Sequence, residues 1–103
     1  MTEARPGWTY QGLHLWIYEN LPAAAHAYVD LVRSAKADGT LIQHRAPSMS
    51  VDLVDGRTIK FISRVNAEYV RGFAVASFEL APGVELSDQA RRALLVATAA
   101  RPK

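Results

Sequence analysis

The sequence predicts an α/β fold: a small layered domain with a mixed, partly parallel sheet, in the order strand, helix, hairpin, strand, helix. Three observations lead there. Two short apolar runs, LHLWIY at residues 13–18 and FAVASFEL at residues 73–80, are nearly continuous rather than alternating, as in strands covered on both faces. Two other stretches repeat apolar residues at three- and four-residue spacing, the period of a helix with one packed side. Between the two runs, Asp55-Gly56 stands among alternating residues and marks a hairpin turn.

The elements follow in order. Residues 13–18, bounded by Gly12 and by Glu19-Asn20, read as a central strand. Asn20 can cap the next segment, and Pro22 falls in its first turn, where a missing N–H costs nothing. The helix predicted at residues 21–37 carries Leu21, Ala24, Ala25, Tyr28, Leu31, Val32 and Ala35 on one stripe. Gly39 supplies the left-handed residue just past its end. Residues 41–45 form a short candidate strand, stopped at Ala46-Pro47 because proline donates no ladder bond and restricts its predecessor.

Within the hairpin, residues 49–64, parity decides the register. A two-residue loop would set polar residues against apolar ones on each face. A three-residue loop, Val54-Asp55-Gly56 with Gly56 left-handed, places Val51 opposite Ile59 and Met49 opposite Phe61, leaving Ser50 and Lys60 on a wet face. Residues 65–70 read as a connection. After Gly72, residues 73–80 give the second buried strand, ended by Ala81-Pro82-Gly83. Ser87 caps a final helix with Asp88 in its first turn and Ala90, Ala93, Leu94, Ala97 and Thr98 on one side, ending near Ala100.

Composition narrows the functional classes. At 103 residues, with 50% hydrophobic and 21% charged residues, the chain fits one globular domain spanning residues 1–103. Residues 1–7 read as a flexible N-terminal arm. There is no cysteine, so disulfides, thiolate chemistry and Cys-based zinc sites are excluded. No apolar run approaches the roughly 20 residues that span a bilayer, and the first residues lack the order of a signal peptide. A cytoplasmic setting with no membrane partner is expected. The net charge of +2 and pI near 9.2 come from cations spread along the chain, which favours a mildly basic surface over a nucleic-acid footprint. His14, His26 and His44 match no metal signature, and no nucleophile-elbow motif supports a Ser-His-Asp site. Trp8 and Tyr10, ahead of the first strand, are candidates for a contact patch.

The segment Asp55-Gly56-Arg57-Thr58-Ile59-Lys60-Phe61-Ile62-Ser63-Arg64, then Arg71-Gly72-Phe73, Glu85-Leu86-Ser87-Asp88 and Ala99-Ala100-Arg101-Pro102, resembles in order and spacing the ATPase core of phage large terminase subunits. The resemblance implies part of a P-loop NTPase core, in a degenerate and truncated form. The family's acidic Walker B pair falls on Ala81 and Pro82, and no G-x-x-x-x-G-K-[ST] phosphate loop is present. No cofactor, no metal and no ATP hydrolysis are therefore expected. Arg71 aligns with the loop arginine that in terminases is thought to reach a neighbouring subunit's nucleotide. A Glu79 displaced into the acid's role is disfavoured.

The expectation is a non-catalytic phage or prophage small protein in the host cytoplasm, acting as a protein-binding module or regulator. Its partner would be a phage or host protein, or its own copy through an open sheet edge. The alternative is a small nucleic-acid-binding domain using Arg57, Lys60, Arg64, Arg91 and Arg92. A third reading, an enzyme of unrecognised type, requires a pocket with convergent polar groups.

Overall fold

A computed structural model describes residues 10–70 and 74–99. It contains strand β1 (Leu13–Tyr18), helix α1 (Leu21–Asp38), strands β2 (Leu41–Arg45), β3 (Ser50–Leu53) and β4 (Thr58–Ser63), a 3₁₀ turn (Asn66–Tyr69), strand β5 (Val75–Leu80) and helix α2 (Asp88–Ala99). The five strands form one sheet in the order β2-β3-β4-β1-β5. β1 pairs in parallel with β4 on one side and with β5 on the other, while β2, β3 and β4 pair antiparallel. The mixed, partly parallel α/β sheet read from the sequence is thus present. Residues 1–7, and with them Trp8, lie outside the described residues, as do Arg71, Gly72, Phe73 and Ala100.

Alternation along β1 divides the core. Leu15 and Ile17 point to one side and join Ile62, Val75 and the α2 residues Ala90, Ala93, Leu94 and Ala97. Trp16 and Tyr18 point to the other and join Ile59, Phe61, Val51 and the α1 residues Ala24, Tyr28, Val32 and Ala35. One helix covers each face of the sheet, so β1 must be apolar on both. On the α1 side Phe61, 1% exposed, is the hub of an aromatic cluster. Trp16 and Tyr28 meet it edge-on at centroid distances of 5.3 and 6.0 Å, within the spacing favoured by ring quadrupoles.

Local signals place the element ends. The Asn20 side chain accepts the Ala23 N–H at 2.9 Å, and Gly39, at φ 74, closes α1 with its N–H and that of Thr40 donating back to the last turn. The β3–β4 loop is the three-residue form. Val51 stands opposite Ile59 and Ser50 opposite Lys60, Leu53 and Arg57 close the loop through Leu53 N–H to Arg57 C=O at 3.0 Å, and the Phe61 N–H donates to Met49 C=O at 2.9 Å. Gly56 sits at φ 97. Ser87 caps α2, accepting the Ala90 N–H at 3.1 Å.

Two features differ from the sequence reading. Residues 46–49 form a turn with Pro47 in its second position, which folds β2 back onto β3 as a further hairpin. Met49 enters the left-handed region at φ 50, which costs a non-glycine residue about 1 kcal/mol and is offset by its packing against the α1-side core. The second apolar run is an edge strand, not a doubly covered one. β5 has β1 as its one neighbour among the described residues, and Glu79 and Leu80 are exposed.

Gly12 fixes how β5 approaches. At φ 100 it carries no side chain, and a Cβ there would lie 2.8 Å from the Ala76 Cβ. Ala76 is the extra residue where the β1–β5 register shifts, so the bulge and the glycine are one device. Gly12→Ala combines a disfavoured φ with that clash and is expected to destabilise the fold by about 1–3 kcal/mol. Urea unfolding of the two proteins measures the difference, and an unchanged midpoint would contradict the contact.

Candidate functional site

In sheets with parallel strands, ligands collect beyond the carboxyl ends where adjacent strands send their connections to opposite faces. β1 and β5 are such a pair, since β1 leads into α1 on one face and β5 into α2 on the other. A groove of about 220 Å³ lies there, lined by Trp16, Tyr18, Glu79, Leu80, Ala81 and Pro82. It arises because α1 packs across β1 to β4 and makes no substantial contact with β5. Its volume falls below the roughly 300–1,000 Å³ of small-molecule pockets. It has room for one side chain rather than a substrate.

Charge in the groove is negative. Glu79 stands beside Trp16 in the register, exposed, and the Tyr18 hydroxyl is raised by burial and then by the charges of Glu79 and Asp30. Ala81 follows the end of the strand, donating its N–H to Ile17 C=O at 2.9 Å, and packs toward the α2-side core. Pro82 is exposed. Neither side chain at 81 or 82 can bind a metal ion.

The start of α1 differs in length and chemistry from that of a P-loop protein. The connection from β1 is Glu19-Asn20 alone, where a phosphate loop takes about eight residues. Asn20 occupies a helix-end donor with its own side chain, and the Glu19 carboxylate opposes an anion. Glu19 instead accepts the Arg64 Nε–H at 2.7 Å, tying together the ends of β1 and β4.

The candidate nucleic-acid contacts do not converge. Arg57 and Arg64 flank opposite ends of β4, separated by seven residue steps or roughly 23 Å, and each is engaged by an acid: Arg57 by Asp55 at 2.8 Å, Arg64 by Glu19 at 2.7 Å. Arg91 and Arg92 are exposed on α2, over the β5 side of the sheet. Lys60 is half-buried and donates to Ser48 C=O at 2.9 Å. Its ammonium is lowered by burial and by the Arg45 charge. Tyr10 is 56% exposed, and its hydroxyl is raised by burial and then by Asp52.

Lys60 belongs to a polar network that the sequence reading reduced to a wet face. Asp52, 7% exposed, accepts both terminal nitrogens of Arg45 at 3.0 and 3.1 Å, Gln43 Nε2–H at 2.6 Å and Thr58 O–H at 2.7 Å. Parity could identify Ser50 and Lys60 as partners, but the bond from Arg45 and Gln43 required the unforeseen β2–β3 hairpin. Burial pushes the Asp52 carboxyl up, and the hydrogen bonds from Arg45, Gln43 and Thr58, with the Arg45 charge, outweigh it, leaving it below its ordinary value.

His14 and Ser77 also meet across β1 and β5, with Nδ1 and Oγ 2.6 Å apart. The pair is 63 residues apart in sequence and left no local signal. Among the described residues His14 Nε2, the other ring nitrogen, is buried without a hydrogen-bond partner. His44 bonds the Tyr28 hydroxyl at 2.7 Å and His26 pairs with Asp30 along α1. Among the described residues no group of three or more His, Cys, Asp or Glu is placed to hold a metal ion, and no helix is long and apolar enough to cross a membrane. No family model matches the chain, and comparison with curated proteins and with solved structures finds no match either.

The Asp52 network carries a pH dependence of definite sign. A folded carboxyl held below its unfolded value adds stability that is complete above the ordinary carboxylate range near pH 4 and is lost as pH falls through the lower folded value. Asp52→Ala is expected to lower stability at pH 7 by about 1–3 kcal/mol and to flatten the acid limb of a stability-against-pH curve. Asp55, held low against Arg57, retains part of that limb. An Asp52→Ala curve parallel to wild type would contradict the assignment.

Proposed function

We propose that this chain is a non-catalytic protein-binding module, a phage or prophage small protein that keeps a scaffold resembling the terminase ATPase core without its nucleotide machinery. The observation that carries the reading is the outer edge of β5. The Ala81 N–H points to β1, so by alternation the N–H and C=O groups of Glu79 do likewise and those of Phe78 and Leu80 point away from the sheet. Among the described residues no strand takes them up. An open edge is a template for another chain, and here it borders an aromatic groove. The resemblance supplies the phage context, and Ala81, Pro82 and the two-residue link after β1 support the absence of ATP chemistry. The nucleic-acid alternative draws less support, because its five cations lie at separate places.

Leu80→Pro removes one outward donor while leaving the β1–β5 ladder intact, since Leu80 is 41% exposed and its N–H is not used inside the sheet. The tagged wild-type chain, passed through lysate of phage-infected or lysogenic cells, is expected to retain a protein partner or a second copy near one to one, and Leu80→Pro to lose it. Calorimetric titration with ATP and Mg²⁺ is expected to show no binding. A wild-type chain recovered as a partnerless monomer, or one that binds ATP, would contradict the reading.

A further inference from the structure

Glu79 is an exposed carboxylate that makes no ion pair or hydrogen bond among the described residues. It stands beside Trp16 and Tyr18 in a groove sized for one side chain, and its charge and that of Asp30 both reach the Tyr18 hydroxyl. Two aromatic rings with an unpaired carboxylate form a surface complementary to a cation, through ring quadrupoles and direct Coulomb attraction. The nearby acids are already engaged, Asp30 by His26 and Arg33 and Glu19 by Arg64. Glu79 is left as the groove's charge.

We propose that the groove is a subsite for an arginine or lysine side chain carried on an extended segment of a partner protein that adds as a strand to the outer edge of β5. This rests on the binding-module reading above. An added strand would lie one spacing, about 4.8 Å, from β5 and two from β1. A side chain from it, on the face that α1 leaves open, passes Glu79 first and reaches Trp16 second. The long apolar stem of arginine or lysine suits that path, lying along the rings while its head meets the carboxylate. Main-chain bonds to Phe78 and Leu80 would give the affinity and the cation the specificity.

The test titrates the ¹⁵N-labelled full chain, at low salt, with two heptapeptides of alternating threonine and valine. One has arginine at its centre and the other citrulline, which keeps the shape and loses the charge. The arginine peptide is expected to shift the Phe78 and Leu80 amides and the Trp16 indole N–H, with the citrulline peptide binding about fivefold to tenfold more weakly. Glu79→Gln should bring the arginine peptide most of the way to the citrulline level, the rest being the attraction of the rings, and added salt should narrow the difference. Equal shifts from both peptides would overturn the cation subsite while leaving the open edge and the module reading standing. No shift on β5 from either would overturn strand addition itself, with lysate capture then judging the module reading separately.

Discussion

β1 is bonded on both sides by parallel neighbours, and the rest of the molecule depends on that constraint. A strand in that position spends its backbone groups on β4 and β5 and must present apolar side chains to two layers. Leu15 and Ile17 serve α2, while Trp16 and Tyr18 serve α1. Parallel pairing also forces long connections. The route from β1 to β4 takes in α1 and the β2–β3 hairpin, and the route from β4 to β5 takes in the 3₁₀ turn. Gly12 and the Ala76 bulge set how closely the last strand can lie.

The groove is a consequence of the same arrangement. α1 serves four strands, and β5, added on the far side of β1, receives its cover from α2 alone. Among the described residues no helix covers the opposite face of β5 at Glu79, at the end of the sheet where strand connections diverge. Arg64 and Glu19 close the neighbouring gap between β4 and β1, which confines the opening to β5. A fold of this size, with one helix per face of a five-stranded sheet, leaves an edge and part of a face uncovered among the described residues.

Much of this was legible in the chain. Periodicity gave both helices with their caps at Asn20, Gly39 and Ser87, because capping is local chemistry. Parity gave the β3–β4 register through Val51, Ile59, Ser50 and Lys60. What was not legible depended on long-range pairing. An apolar run such as residues 73–80 reads the same whether it lies at the centre or the edge of a sheet, and strand order decides which. The Asp52 network needed Gln43 and Arg45 brought back by the Ala46-Pro47-Ser48-Met49 turn, and the His14–Ser77 contact joins residues with no shared local pattern. The groove residues Trp16 and Tyr18 fall in a run that reads as a strand covered on both faces, since the missing helix cover over β5 has no signature in sequence.

An open β5 edge leaves a signature in the amide hydrogen exchange of the free protein. Ile17, Glu79 and Ala81 donate within the β1–β5 ladder and are expected to exchange slowly, whereas Phe78 and Leu80, pointing outward on the same strand, are expected to exchange much faster at low protein concentration. Protection of Phe78 and Leu80 equal to that of Glu79 at every concentration would show that the edge is already occupied within the chain, and would contradict the account.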